Sequence, residues 1–392
     1  MKLSSYISSI ILMALTVCAP GINAQQRVIA GVKGDEAIVK AINEYGTFDK
    51  WCVREIKESA LLGGDTAHLF EFYGNQDTTF TGKQPFTPPQ GYIWRTNNVL
   101  AIVAGIVKTN NTVYPEKRGE GYCARIETHL EEVKVIGMIN MDVVCQGAIM
   151  IGNLPEPITT TKDPMTKVQY GLAFTSCPKA VEFDYKADVG NEVYRGTGFS
   201  KLKPMGYPDY AEVNFMLQKR WEDEEGNIHA LRVATGIHRI TESTDDWVNG
   251  HRIELKYGDI TNDPSYKEYM GLKTDPTTAY HDINSKGKDR IIQEEGWAEP
   301  GTKPTHLILH FITSCGEAFY GGLGNTLWLD NVRLIMQHQT SILQKNYCGA
   351  VVFFVLPSRY TSDGRHTKKE EESCDSSSVV AGGGLEPPAS GL

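Results

Sequence analysis

Short runs in which apolar and polar residues alternate recur through the chain. Val181, Phe183 and Tyr185 alternate with Glu182 and Asp184, and Val213, Phe215 and Leu217 with Asn214 and Met216. Ile253 and Leu255 alternate with Arg252, Glu254 and Lys256. A period of two sends successive side chains to opposite faces of a strand. In residues 306–311, Leu307, Leu309 and Phe311 alternate with His306, Ile308 and His310, so both faces are fairly apolar, as in a central strand. Residues 327–335 (LWLDNVRLI) read as a closing strand. Turn-forming residues at 188–191, 223–227, 249–250 and 321–325 separate these runs. One early helix is predicted over 35–45 (DEAIVKAINEY), where Ile38, Val39 and Ile42 share a face. Many strands without alternating helices predict an all-β fold, an antiparallel sandwich or jelly roll. No repeat or composition break interrupts residues 28–337, which read as one domain.

The two ends have a different character. Lys2, the apolar run 10–17 (IILMALTV) and the small residue Ala24 have the order of a signal peptide over 1–24, too short to span a bilayer. Cys18 leaves lipidation open as the alternative, although Leu15-Thr16-Val17 is a weak match to a lipoprotein signal; either way export to the periplasm or cell surface is expected. After Met336 come a short apolar run at 350–356, KKEEE at 368–372 and a Ser/Gly/Pro-rich end. That end has little to bury, so 338–392 is expected to be a disordered tail.

Composition narrows the classes. Apolar residues make up 41% and charged residues 22%, the balance of a globular protein rather than a multi-span membrane protein. The 39 Lys+Arg against 48 Asp+Glu give a net charge of −9, which argues against binding nucleic acid through its phosphates. Of the eight cysteines, Cys52, Cys123, Cys145, Cys177 and Cys315 lie outside the two ends, and none forms a CxxC pair. They predict neither a zinc site nor a dense disulfide framework; one bridge is possible.

Three stretches carry a resemblance. Residues 119–128 (GEGYCARIET) are similar to a small-residue run leading into a strand. Asp163-Pro164-Met165, then 171–175 (GLAFT) and 178–186 (PKAVEFDYK), are similar to a Gly-x-Pro-Phe-Thr segment entering a strand. Residues 322–332 (GLGNTLWLDNV) are similar to a closing strand, with Asn325 in place of a usual Ser and Asn331 in place of a second Asp. In this order they resemble the putative carbohydrate metabolism domain family of exported Bacteroidetes proteins, over about residues 47–336. The resemblance implies a β-jelly roll like that of carbohydrate-binding modules, with a polysaccharide or oligosaccharide as partner. It brings no catalytic residues.

A sugar-binding surface needs flat aromatic rings beside carboxylates and amides. Trp94, Trp221 and Trp297 lie among polar residues, and Trp297, with Glu295 nearby and turn residues on both sides, is the best candidate platform. Each has a second reading as a ring that caps the core. In jelly-roll carbohydrate modules an Asp near the last strand often helps hold a structural Ca²⁺, so Asp330 and Asn331, with Glu71, form a candidate set by analogy. A glycoside hydrolase needs two carboxyl groups about 5–9.5 Å apart. Glu182 and Asp184 share a face, but a solvated strand gives the same pattern. His306 and His310 also share a face, where burial is the simpler reading than metal ligation. No G-x-S-x-G, H-E-x-x-H, Walker A or dinucleotide fingerprint is present, and 321–324 reads as a hairpin turn. The leading expectation is an exported glycan-binding protein. A glycoside hydrolase on the same fold and a structural or adhesive surface protein are the alternatives, told apart by whether a groove exists and which carboxylates face it.

Overall fold

The computed structural model describes residues 32–72, 85–89, 91–103, 105–135, 139–159, 167–198 and 200–337. The chain divides into two units, Met1–Ala350 and Val351–Leu392, the second lying wholly outside the described residues. The expected signal at 1–24, Cys18, the motif residues 163–165 and the tail at 338–392 also lie outside them.

The fold is all-β. Two sheets face each other across the main core. The larger has ten strands among the described residues, with His306–Ile312, Ala211–Glu222 and Ile228–Ile240 at its centre. The facing sheet has five, in the order Val248–Glu254, Pro178–Asp188, Thr326–Met336, Gly121–Glu127 and Val113–Arg118. Among the described residues the named strands pair antiparallel except where Ile228–Ile240 meets Asp289–Trp297 in parallel, and an isolated bridge between Ala101 and Ile158 is also parallel, a departure from the purely antiparallel expectation.

The alternation expected from sequence organises the core. Val213, Phe215 and Leu217 point inward, as do Leu307, Leu309 and Phe311 from the neighbouring strand. Val181, Phe183, Leu327 and Leu329 meet them from the facing sheet. Phe183 and Phe311 bridge the two sheets edge to face, with centroids 5.2 Å apart at 83°, a favoured aromatic geometry. The sequence 321–325 turns the chain between strands Tyr320–Gly322 and Thr326–Met336, but these belong to different sheets, so it is not the hairpin turn expected. Gly324 has φ of 92°, and a Cβ at Gly322 would meet the Asn325 side chain at 2.8 Å.

Helix Asp35–Tyr45 forms as its pattern predicts and buries Ile38, Ala41 and Ile42. It packs at one end of the core beside Trp94, whose Nε1 donates to the Ile42 carbonyl at 3.4 Å. Trp94 also meets Phe48 and Phe311 and is only 1% exposed. Of its two readings the core one holds: its polar neighbours Arg95 and Thr96 belong to the three-residue strand Trp94–Thr96, which is buried throughout, and no ring face is left for a sugar.

Replacing Trp94 with Ala removes a large buried ring from this junction. The expected cost is ~3–5 kcal/mol of unfolding free energy in a denaturant titration; a loss below about 1 kcal/mol would contradict its place in the core.

Candidate functional site

The outer face of the large sheet, away from the main core, floors a groove of about 520 Å³. Residues of even number along Ala211–Glu222 reach this face. The strand register sets Met150, His310, Asn214 and Ile237 side by side in one row, and Ala148, Ile312, Glu212 and Arg239 in the next. One wall is the segment between Tyr257 and His281, which brings Tyr269, Lys273 and Tyr280 to the groove; the other includes Cys145, Ser314 and Cys315.

Glu212 organises the polar end of the floor. Its Oε1 accepts from Asn214 Nδ2 at 2.9 Å and its Oε2 from Arg239 Nε at 2.7 Å. Lys273 Nζ lies 3.7 Å from Oε1. The Arg239 guanidinium in turn covers the Tyr269 ring, 4.4 Å from its centroid. The Tyr170 and Tyr280 rings, 4.5 Å apart, both meet His310 edge-on from one side, at 5.4 and 6.4 Å. Asn214 is 2% and His310 4% exposed, yet Asn214 Oδ1 and His310 Nδ1 have no hydrogen-bond partner. Burial pushes the His310 imidazole down to about 4; Glu212 opposes this and Lys273 adds to it. The ring is therefore neutral at ordinary pH.

The wall that carries Lys273 is tied down from beneath. Glu294 accepts from Arg232 Nε and Gln218 Nε2, both at 2.6 Å, and from the Lys273 backbone N–H at 2.7 Å. Burial alone would raise the Glu294 carboxyl, but the charge and hydrogen bonds of Arg232, with the Lys273 amide and Gln218, bring it below its ordinary value. On the opposite wall, buried Asp209 accepts from the Cys315 and Gly322 amides. The thiols of Cys145 and Cys315 are free, and burial raises them to about 12 and about 11, so both stay protonated.

The residues singled out from sequence lie elsewhere. Trp297 ends strand Asp289–Trp297 rather than standing in a loop, and it is half-buried beside the Arg232 guanidinium, 5.7 Å from its ring centroid. The Glu-Glu-Gly neighbours that suggested a turn belong to the parallel pairing with Ile228–Ile240. Trp221 and Glu295 do come together, through His229. Trp221 stacks on the His229 ring at 5.5 Å and 15°, and is 36% exposed. His229 Nδ1 meets Glu295 Oε1 at 2.6 Å and Nε2 meets Asp223 Oδ2 at 3.1 Å. By strand alternation this platform lies on the sheet face opposite the groove.

Asp330, Asn331 and Glu71 do not fit a calcium site. Asp330 Oδ2 is held by Arg118 at 2.6 Å, and Asn331 Nδ2 donates to Asp184. Glu71 is buried in an ion pair with Arg54 at 2.9 Å. A cation would have to displace the guanidinium that already neutralises each carboxylate. Among the described residues no group of three or more His, Cys, Asp or Glu is placed to hold a metal. Glu182 and Asp184 are likewise taken by arginines, Arg333 and Arg118. His306 and His310 are both buried. Glu212, the buried carboxylate of the groove lining, is not singled out by the sequence; the signal that marks it is Asn214, a polar residue at a central-strand position.

No family model matches the chain, and no curated protein matches it. Among solved structures, a protein from Bacteroides thetaiotaomicron described as a putative glycoside hydrolase is similar at 16% identity and TM-score 0.39, over 74% of this chain and 72% of that one. A protein so described from Bacteroides vulgatus is similar at 15% identity and TM-score 0.38, over 74% and 97%. A mutant of a family 29 carbohydrate binding module gives 10% identity and TM-score 0.17, over 61% and 89%. These values are too low to carry a conclusion about activity.

Two measurements test the site's construction. Glu294→Gln leaves Arg232 buried without its counter-charge and should cost ~3–5 kcal/mol, with faster hydrogen exchange at the Lys273 amide; unchanged exchange would show that the wall is held otherwise. For His310, the unfolded ring takes up a proton near pH 6.5 while the folded ring does so only near 4. Unfolding therefore binds a proton between these values, and stability should fall as pH drops through this window, by up to about 3 kcal/mol. His310→Phe should flatten that part of the pH–stability curve; an unaltered slope would refute the buried neutral ring.

Proposed function

We propose that the protein binds a glycan in the groove on the outer face of its large sheet. The observation that carries this reading is the lining itself: tyrosine rings beside a buried amide, imidazole and carboxylate in a cleft of about 520 Å³. Rings can cover the apolar faces of a pyranose while the polar groups take its hydroxyls. The strand motifs that resemble the putative carbohydrate metabolism domain family support the same class of partner. The signal-like order of residues 1–24 supports export, with glycan capture at the periplasm or cell surface as part of this reading; fractionation that found the protein in the cytoplasm with this segment intact would overturn it.

Binding is favoured over hydrolysis. Glu212 gives one oxygen to Arg239 and the other to Asn214, while Glu268 and Asp275, the other carboxylates lining the groove, are exposed. A hydrolase would need a free acid and base facing each other across the bond to be cut. The Trp221 platform offers a separate surface contact for a longer chain.

A glycan array followed by product analysis should give binding without release of reducing ends. Tyr269→Ala should weaken that binding by ~1–3 kcal/mol, measured by calorimetry, whereas Trp221→Ala should weaken it only for long ligands. Release of reducing ends would establish the hydrolase instead, and no binding to plant, host or microbial glycans would favour a structural role.

A further inference from the structure

Resting on that reading, we infer that Asn214 and His310 together recognise two hydroxyls on adjacent carbons of a sugar ring, so that the groove selects its ligand by a vicinal diol. The two residues are direct partners across strands Ala211–Glu222 and His306–Ile312. Both side chains line the groove, and cross-strand partners on one face have Cβ atoms about 4.5–5.5 Å apart. Each carries a buried polar atom with no partner, Asn214 Oδ1 and His310 Nδ1. Such an atom costs stability unless something pairs with it, and here the two are cross-strand neighbours on the groove floor.

The hydrogen-bonding character of the pair restricts the ligand. Asn214 Nδ2 donates to Glu212 Oε1, and Glu212 is held by Arg239, so the free Asn214 atom is an acceptor and demands a donor. The His310 ring is neutral and offers one donor nitrogen and one acceptor. A carboxylate or phosphate brings acceptors only and leaves Asn214 Oδ1 unpaired. An ammonium brings donors only and lies badly beside Lys273 and Arg239. A secondary amide points its N–H and C=O in opposite directions, because the peptide group is trans. Two neighbouring hydroxyls each donate and accept, so one can donate to Asn214 Oδ1 while the other pairs with His310 Nδ1. The adjoining row continues with Glu212 and Arg239 on one side, while Met150 and Ile237 flank the pair with apolar surface. The neutral pair is thus bordered by hydrocarbon along its own row, as the edge of a pyranose requires.

The test uses labelled cello-, manno-, xylo- and galacto-oligosaccharides with the wild-type protein, then monodeoxy analogues of whichever binds. Removing either of two adjacent hydroxyls should weaken binding roughly tenfold, and removing the others should have little effect. His310→Phe should lose the discrimination while its melting temperature stays level or rises at pH 7, because the ring it replaces makes no hydrogen bond. If an oligosaccharide binds but no adjacent pair of hydroxyls matters, or if His310→Phe keeps the wild-type discrimination, the diol assignment is overturned and the glycan groove stands. If no oligosaccharide binds, the glycan reading itself fails, and the diol assignment falls with it.

Discussion

The central strands Ala211–Glu222 and His306–Ile312 are buried on both faces, and the groove depends on that constraint. One face must be apolar to close the core against Val181, Phe183, Leu327 and Leu329. The period of two then delivers the intervening residues to the other face, whatever they are. Along Ala211–Glu222 these are Glu212, Asn214, Met216, Gln218 and Arg220, a line of polar groups interrupted by one methionine. A single-residue slip in register would put Glu212 and Asn214 into the hydrophobic core, a loss no pairing there could offset. The floor of the groove is therefore held in place by the same packing that stabilises the sandwich.

Buried polar groups divide into those that hold the structure and those left open. Arg232 and Glu294 satisfy one another, and through the Lys273 amide they fasten one wall. Arg220, on the same face of the sheet as Glu212 and Asn214, reaches Asp282 and the Tyr170 carbonyl. Asp209 holds the opposite wall by its acceptor oxygens. Of the buried side-chain atoms without a partner, Asn214 Oδ1 and His310 Nδ1 are a cross-strand pair on the floor of the groove. Rigid walls around unmatched groups are the arrangement of a preorganised binding site, since little has to be ordered when a ligand arrives.

The carboxylates illustrate how burial decides role. Glu182, Asp184, Asp330 and Glu71 all pair with arginines, so the acids that looked most available in sequence are committed to holding strands together. Glu212 is also paired, but it lines the groove and orients the Asn214 amide there. The exposed indole of Trp221 sits over a histidine held by two carboxylates, on the far side of the sheet. The two aromatic surfaces therefore cannot hold the same sugar ring.

Local pattern by itself determined a good deal. The helix at 35–45, the strands around 181–185, 213–217 and 306–311, and the all-β class follow from hydrophobic period, which depends only on nearest neighbours along the chain. It could also show that Asn214 and His310 are polar residues inside apolar runs. It could not show that the two are partners, because register between strands separated by almost a hundred residues is set by how the sheets pack. The same limit explains the tryptophans. Sequence neighbours left Trp297 and Trp94 open between surface ring and core ring; the parallel pairing of Asp289–Trp297 and the approach of helix Asp35–Tyr45 turned one inward in part and the other completely. Nor could charge pattern tell which carboxylates would meet an arginine, since Arg118 lies more than two hundred residues before Asp330. Period and propensity are local quantities, whereas burial, ion pairing and the meeting of two unmatched atoms are properties of contacts between distant segments, and only the tertiary structure decides those.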